Sequence, residues 1–156
     1  MTEQFDLGNL IEPLAAQPGG LLPALHAIQH AVGHIPAEAS PLLAAAFRLS
    51  VADVDGCISY YSHFRRKPAG KHIVEVCRAE ACQAMGGRAL EQHARKRLGI
   101  DWGDTTEDGC ITLQPAYCLG NCACTPSIAV DGKVYARVDL NRFDAVIESL
   151  RNGDAA

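Results

Sequence analysis

Apolar residues recur with a helical period through the first part of the chain, then give way to short β-branched runs. Leu7, Leu10, Ile11 and Leu14 share one helical face before the break Gln17-Pro18-Gly19-Gly20. Leu21, Leu25, Ile28 and Val32 follow at i, i+4, i+7 and i+11, a stripe that predicts a second helix. Pro23 sits early in it, where its missing N–H costs nothing, and Gly33 followed by Pro36 ends it. Ser40-Pro41 predicts an N-cap and a first-turn proline for a third helix through Phe47. Ser50 is expected to cap a fourth short helix that buries Val51, Val54, Ile58 and Tyr61. Each helix is too short to be stable alone, so residues 1–66 are expected to form a small helical bundle.

The pattern changes at Lys67-Pro68-Ala69-Gly70, which reads as a domain boundary. His72 to Val76 is rich in β-branched residues and predicts a strand running into Cys77. Gln83 to Leu98 predicts a helix with Leu90, Ala94 and Leu98 on one face. Arg95, Lys96 and Arg97 fill its last turn and Gly99 terminates it. Asp101 to Gly109 is acidic and loop-like, and Ile111 to Gln114 begins a second strand. Ser127–Val130 and Lys133–Val138 flank Asp131-Gly132, a strong hairpin signal. A two-residue turn places Val130 on the same side as Lys133, so the turn is longer or both faces are partly covered. Asp139 then caps a final helix with the stripe Leu140, Phe143, Ile147 and Leu150, ending near Gly153. The expected fold class is α+β, a helical bundle over 1–66 followed by a compact α/β domain over 67–156. Strand, helix, strand, hairpin, helix is the element order of a thioredoxin-like domain.

Composition changes this picture in two ways. A net charge of −4 with no long basic block gives no support for nucleic-acid binding, and Arg65-Arg66-Lys67 reads as a solvated linker or partner contact. No apolar run approaches the ~20 residues of a membrane span, and the first residues lack the pattern of a signal peptide. The expected compartment is therefore the cytoplasm. Seven cysteines, an odd number without an export signal, then point to metal binding or redox chemistry rather than a disulfide scaffold.

Cys77 and Cys82 form a C-x4-C loop after the first strand, and Cys118 and Cys122 a C-x3-C loop after the second. Four soft thiolates select zinc, copper(I) or an iron–sulfur cluster over hard cations. Gly120 lets the backbone approach a cluster so that N–H groups can point at sulfur. Arg78 and Glu80 read as exposed loop charge, with a role in tuning a cluster or meeting a partner as the sharper alternative. On spacing alone, Cys124 can replace Cys122 as the fourth ligand. Cys110 is expected to be a strand-edge structural thiol and Cys57 a small apolar residue. His26, His30 and His34 have helical ligand spacing, but they read as a polar flank, with His34 beyond the helix end. Three functions follow: a [2Fe–2S] electron carrier, a zinc-stabilised binding module, or a thiol–disulfide enzyme. The last wants a C-x-x-C motif, which the chain lacks.

The chain resembles the thioredoxin-like [2Fe–2S] ferredoxins, the small flavoprotein-associated subunits of respiratory complex I, NAD-linked hydrogenases and formate dehydrogenases. Leu21 to Gln29, Ile58 to Arg65, both cysteine loops and Pro126 carry the likeness. It implies Cys77, Cys82, Cys118 and Cys122 as ligands of one [2Fe–2S] cluster, favouring Cys122 over Cys124. Within the family, Cys77-Arg78-Ala79-Glu80-Ala81-Cys82-Gln83-Ala84-Met85-Gly86 and Ser62 to Arg65 most resemble the γ subunit of cytosolic NAD-dependent molybdenum formate dehydrogenase. The implied partners are a flavin- and Fe–S-containing NAD-binding subunit and a molybdenum-cofactor subunit. No residue of this chain is expected to be catalytic, and the N-terminal bundle is expected to dock on the flavin-bearing subunit. Asp55 departs from the family, whose members tend to carry an aromatic residue there.

Overall fold

A computed structural model describes residues 6–153 of the chain. Its internal contacts divide it into two compact units between Pro68 and Ala69.

In the first unit, α1 (Leu7–Ala15), α2 (Leu21–Val32), α3 (Ala39–Phe47) and α4 (Val51–Tyr60) pack around Leu25, Ile28, Ile35, Leu43, Val54 and Ile58. Local chemistry explains most of the boundaries. The Asp6 carboxylate accepts from Gly8 N–H at the start of α1, and Gly33, at φ 84°, ends α2 in the left-handed conformation glycine tolerates. Ser50 and Asp53 form a reciprocal capping box at the start of α4.

Three expectations need correction here. Ser40 is not an N-cap, because α3 already begins at Ala39. Its buried hydroxyl instead donates to Asp55 Oδ1 on α4 at 2.7 Å and accepts from Arg66 Nη1 at 2.9 Å. Asp55 also pairs with the Arg66 guanidinium, so the unusual acid serves as a polar tie between α3, α4 and the chain leaving the bundle. Val51 and Tyr61 are exposed rather than buried. Val51 is the first residue of its helix, and Tyr61 has extended dihedrals that take its side chain off the helical stripe.

In the second unit, a four-stranded sheet has the order β2-β1-β3-β4, with β1 (His72–Cys77) parallel to β2 (Ile111–Ala116). The strands β3 (Ile128–Val130) and β4 (Lys133–Tyr135) complete it in antiparallel fashion. Pro115 is tolerated because β2 is an edge strand. The hairpin turn is two residues long, with Asp131 and Gly132 both at positive φ as a type I′ turn requires. The conflict between Val130 and Lys133 is resolved by position: β3 lies inside the sheet and is buried throughout, whereas β4 is a largely exposed edge. The final helix α7 (Leu140–Asn152) is capped by Asp139. It buries Phe143, Val146, Ile147 and Leu150, while Leu140, its first residue, stays exposed in place of the expected contact.

The helix expected over 83–98 is broken. A single turn, α5 (Glu80–Cys82), is followed by a wide turn over Gln83–Gly87, and α6 (Arg88–Leu98) begins only after it. Met85 and Gly86 leave helical dihedrals, Gly86 at φ 95°. The gap falls between the second cysteine and the helix that covers the sheet with Leu90, Ala94 and Leu98.

Candidate metal centre

The parallel pairing of β1 and β2 sets Cys77 opposite Ala116, so both strands deliver their following loops to the same end of the sheet. Loops at the carboxyl ends of parallel strands are where α/β sheets build their sites. β3 starts from that end, because Ile128 pairs with Val76, and this brings the 121–127 segment alongside. Two loops about 40 residues apart in sequence thus converge through one strand pair.

The four thiols come as two pairs of different character. Cys77 and Cys82 are buried and hydrogen-bonded to each other. Cys118 and Cys122 are exposed, with their sulfurs 3.7 Å apart. Cys122 interacts electrostatically with both Cys77 and Cys82, which ties the pairs into one site. Cys118 is held at φ 136°, a backbone conformation that side chains other than glycine rarely take and that concentrates at functional positions. Gly120, at φ 74°, turns its N–H back onto Cys118 Sγ at 3.3 Å.

Burial pushes the Cys82 thiol up to about 11, reinforced by the hydrogen bond with Cys77. The Ser127 backbone N–H opposes the shift by stabilising the thiolate. The hydrogen bond with Cys118 likewise raises Cys122. Cys82 is therefore a neutral thiol at pH 7, and a metal has to displace its proton in order to bind. Thiolates crowded this closely repel one another unless a cation compensates them. The donor set fits an iron–sulfur cluster, whose two irons take two thiolates each. Among the described residues, no three His, Cys, Asp or Glu side chains are set to hold a single metal ion.

Several supporting residues carry no signal in the sequence. The buried Ser127 accepts from Asn121 Nδ2 and donates to the Cys124 carbonyl, each at 3.3 Å. That carbonyl also accepts from Arg137 N–H, so the short 3₁₀ turn Cys122–Cys124 is braced from both sides. Arg78 is no free loop charge: its Nε donates to Glu91 Oε2 at 3.0 Å and its guanidinium lies 5.1 Å from the Trp102 ring centre. Glu91 Oε1 is buried without a hydrogen-bond partner. Cys124 and Cys110 are half-buried, Cys110 packing against the sheet core, and Cys57 packs beside the bundle core. In the first unit, the His26 ring packs at a tilt against His63 and Phe64, with ring centres 5.1 and 4.9 Å away. His34 lies beyond the end of α2.

The family model described as thioredoxin-like [2Fe-2S] ferredoxin matches residues 7–151. A subunit of the NADH-quinone oxidoreductase of Pseudomonas aeruginosa is 35% identical over 147 residues, covering 94% of this chain and 84% of that one. The HndA subunit of the NADP-reducing hydrogenase of Solidesulfovibrio fructosivorans is 34% identical over 139 residues, covering 89% and 81%. Among solved structures, the air-oxidized NAD⁺-reducing [NiFe]-hydrogenase aligns with a TM-score of 0.67 at 27% identity. The match covers 87% of this chain but only 23% of the hydrogenase chain.

Proposed function

The chain belongs to the thioredoxin-like [2Fe–2S] ferredoxin family, and from that premise we propose that it is the electron-transfer subunit of a cytoplasmic NAD-dependent formate dehydrogenase. The observation that carries the electron-transfer reading is the convergence of the Cys77/Cys82 and Cys118/Cys122 pairs at one end of the sheet. When bound, the [2Fe–2S] cluster supplies a one-electron carrier to a flavin in a partner subunit. The residues of this chain bind and orient it. Cys77 and Cys82, both buried, would hold it on the side away from solvent, and the exposed Cys118 and Cys122 would hold it on the side a partner can reach. Gly120 N–H directs a hydrogen bond to the Cys118 sulfur, a contact that stabilises negative charge on the ligand and raises a cluster's potential.

The formate reading is supported by the decapeptide Cys77 to Gly86 and by Ser62 to Arg65. A second reading is the equivalent subunit of complex I or of an NAD-linked hydrogenase, favoured by the likeness to the two relatives above. In either, the helical unit up to Arg66 docks on the flavin-bearing subunit. Among the described residues no helix is long and apolar enough to cross a membrane.

Affinity purification of the native assembly through a tag on this chain distinguishes the readings. Recovery of a flavin subunit with a molybdenum-cofactor subunit and formate-dependent NAD⁺ reduction is the expected result, and the purified chain alone is expected to be inert. Recovery of nickel–iron or quinone-reducing subunits would replace the formate reading with the second one.

A further inference from the structure

The break between Cys82 and α6 is built on two adjacent glycines that do different work. Gly86 lies at φ 95°, and a Cβ there would meet no atom within 4 Å. It supplies only a backbone conformation, one that side chains rarely adopt and that asparagine visits more readily than most. Gly87 has negative φ, is buried, and needs no glycine for its dihedrals. A Cβ at Gly87, however, would lie 2.6 Å from the Cys82 carbonyl oxygen and 2.8 Å from its carbonyl carbon. Both are rigid backbone atoms, so a side chain at position 87 has to push the Cys82 peptide away. On the neighbouring strand end, Cys77 N–H donates to the Ser127 carbonyl at 3.1 Å, which holds the 127 segment beside the first cysteine loop. The Cys82 peptide thus lies directly against the backbone at Gly87.

We propose that Gly87 is a positioning residue for the metal centre: its missing side chain lets the turn close on the Cys82 peptide and so fixes where the Cys82 sulfur sits among the four thiols. The inference rests on Cys82 being a cluster ligand. Neither Cys82 nor Gly87 belongs to the hydrophobic cluster between the sheet, α6 and α7, so the expected effect falls on the cysteine site rather than on that cluster.

The test uses the full chain with Gly87→Ala and, as a control for backbone conformation, Gly86→Asn. Four quantities are read: thermal unfolding and the rate of Cys82 alkylation in the metal-free protein, and, after anaerobic reconstitution, the rate of cluster loss to a chelator and the g values of the reduced state. Gly87→Ala is expected to unfold cooperatively near the parent temperature. It is expected to lose its cluster at least ~10-fold faster, the lower range for removing support from a metal ligand. Its g values shift and Cys82 alkylates faster, while Gly86→Asn, strained in its backbone alone, lowers the unfolding temperature at most and matches the parent in the other three. Parent-like cluster loss and g values in Gly87→Ala would overturn the proposal, as would a metal-free variant that fails to fold. If the parent itself takes up no cluster, the proposed function fails on that ground alone. Alkylation of Cys82 then still reports whether Gly87 positions it.

Discussion

At the scale of single residues, the seven cysteines divide by surroundings rather than by spacing. The sulfurs of Cys77, Cys82, Cys118 and Cys122 hydrogen-bond in pairs at one sheet end, whereas Cys57 and Cys110 pack beside hydrophobic cores. Replacement of any of the four by serine is expected to abolish stable cluster retention, measured as visible absorbance and iron content after anaerobic purification. Cys57→Ser, Cys110→Ser and Cys124→Ser are expected to retain both. Loss of the cluster in Cys124→Ser with retention in Cys122→Ser would reverse the ligand assignment. Asp55 makes a separate prediction. The hydrogen bond from the Ser40 hydroxyl holds its carboxyl below the ordinary range; burial opposes this, and the Arg66 guanidinium adds a smaller lowering effect. A depressed carboxylate stabilises the fold above its unfolded pKa, and that contribution is lost as pH falls through the folded value. The difference in thermal stability between the parent and Asp55→Asn is therefore expected to be constant from pH 7 to 5. It should shrink below about pH 4, where an unfolded aspartate protonates. A gap of undiminished size at pH 3 would contradict this.

At the scale of elements, what the sequence makes legible is what local chemistry decides. The capping box at Ser50, the left-handed stop at Gly33, the type I′ turn at Asp131-Gly132 and the cap at Asp139 all form as their residue types predict. Ser40-Pro41 misleads because the serine hydroxyl is used in a tertiary contact, and no local pattern reports a partner 15 residues away. Gly86-Gly87 sits inside an otherwise helical pattern, and a glycine pair does not itself reveal whether it is tolerated or required. Gln29 is a third case. It lies in a helix that reads as amphipathic, yet it is buried: its Nε2 donates to the His63 carbonyl and its Oε1 accepts from Arg65 N–H, both at 2.9 Å. These bonds fasten the 63–65 segment along α2, together with Ile35 N–H on the Arg65 carbonyl. Gln29→Leu removes both of these buried hydrogen bonds and is expected to cost about 2 kcal/mol, read from urea unfolding. A cost below about 0.5 kcal/mol would mean that water replaces both bonds.

At the scale of the whole molecule, spacing identifies two cysteine pairs, but only topology explains why they meet. The meeting depends on β1 and β2 being parallel neighbours, a long-range pairing that the strands' own residues do not encode. The family match over residues 7–151 points to the fold in which this pairing occurs. The Arg78–Glu91–Trp102 arrangement was invisible for the same reason, since it joins the first cysteine loop to α6 and to the loop before β2. The claim on which the whole account turns is that the converged thiols hold a two-iron cluster that accepts one electron. Electron paramagnetic resonance of the anaerobically purified chain, before and after dithionite, with iron and zinc quantified on the same sample, tests it most directly. The account predicts a silent oxidised state, a rhombic signal on reduction and about two irons per chain, as four thiolates around a [2Fe–2S] cluster require. Stoichiometric zinc with no signal in either state would contradict it and make the site a structural one.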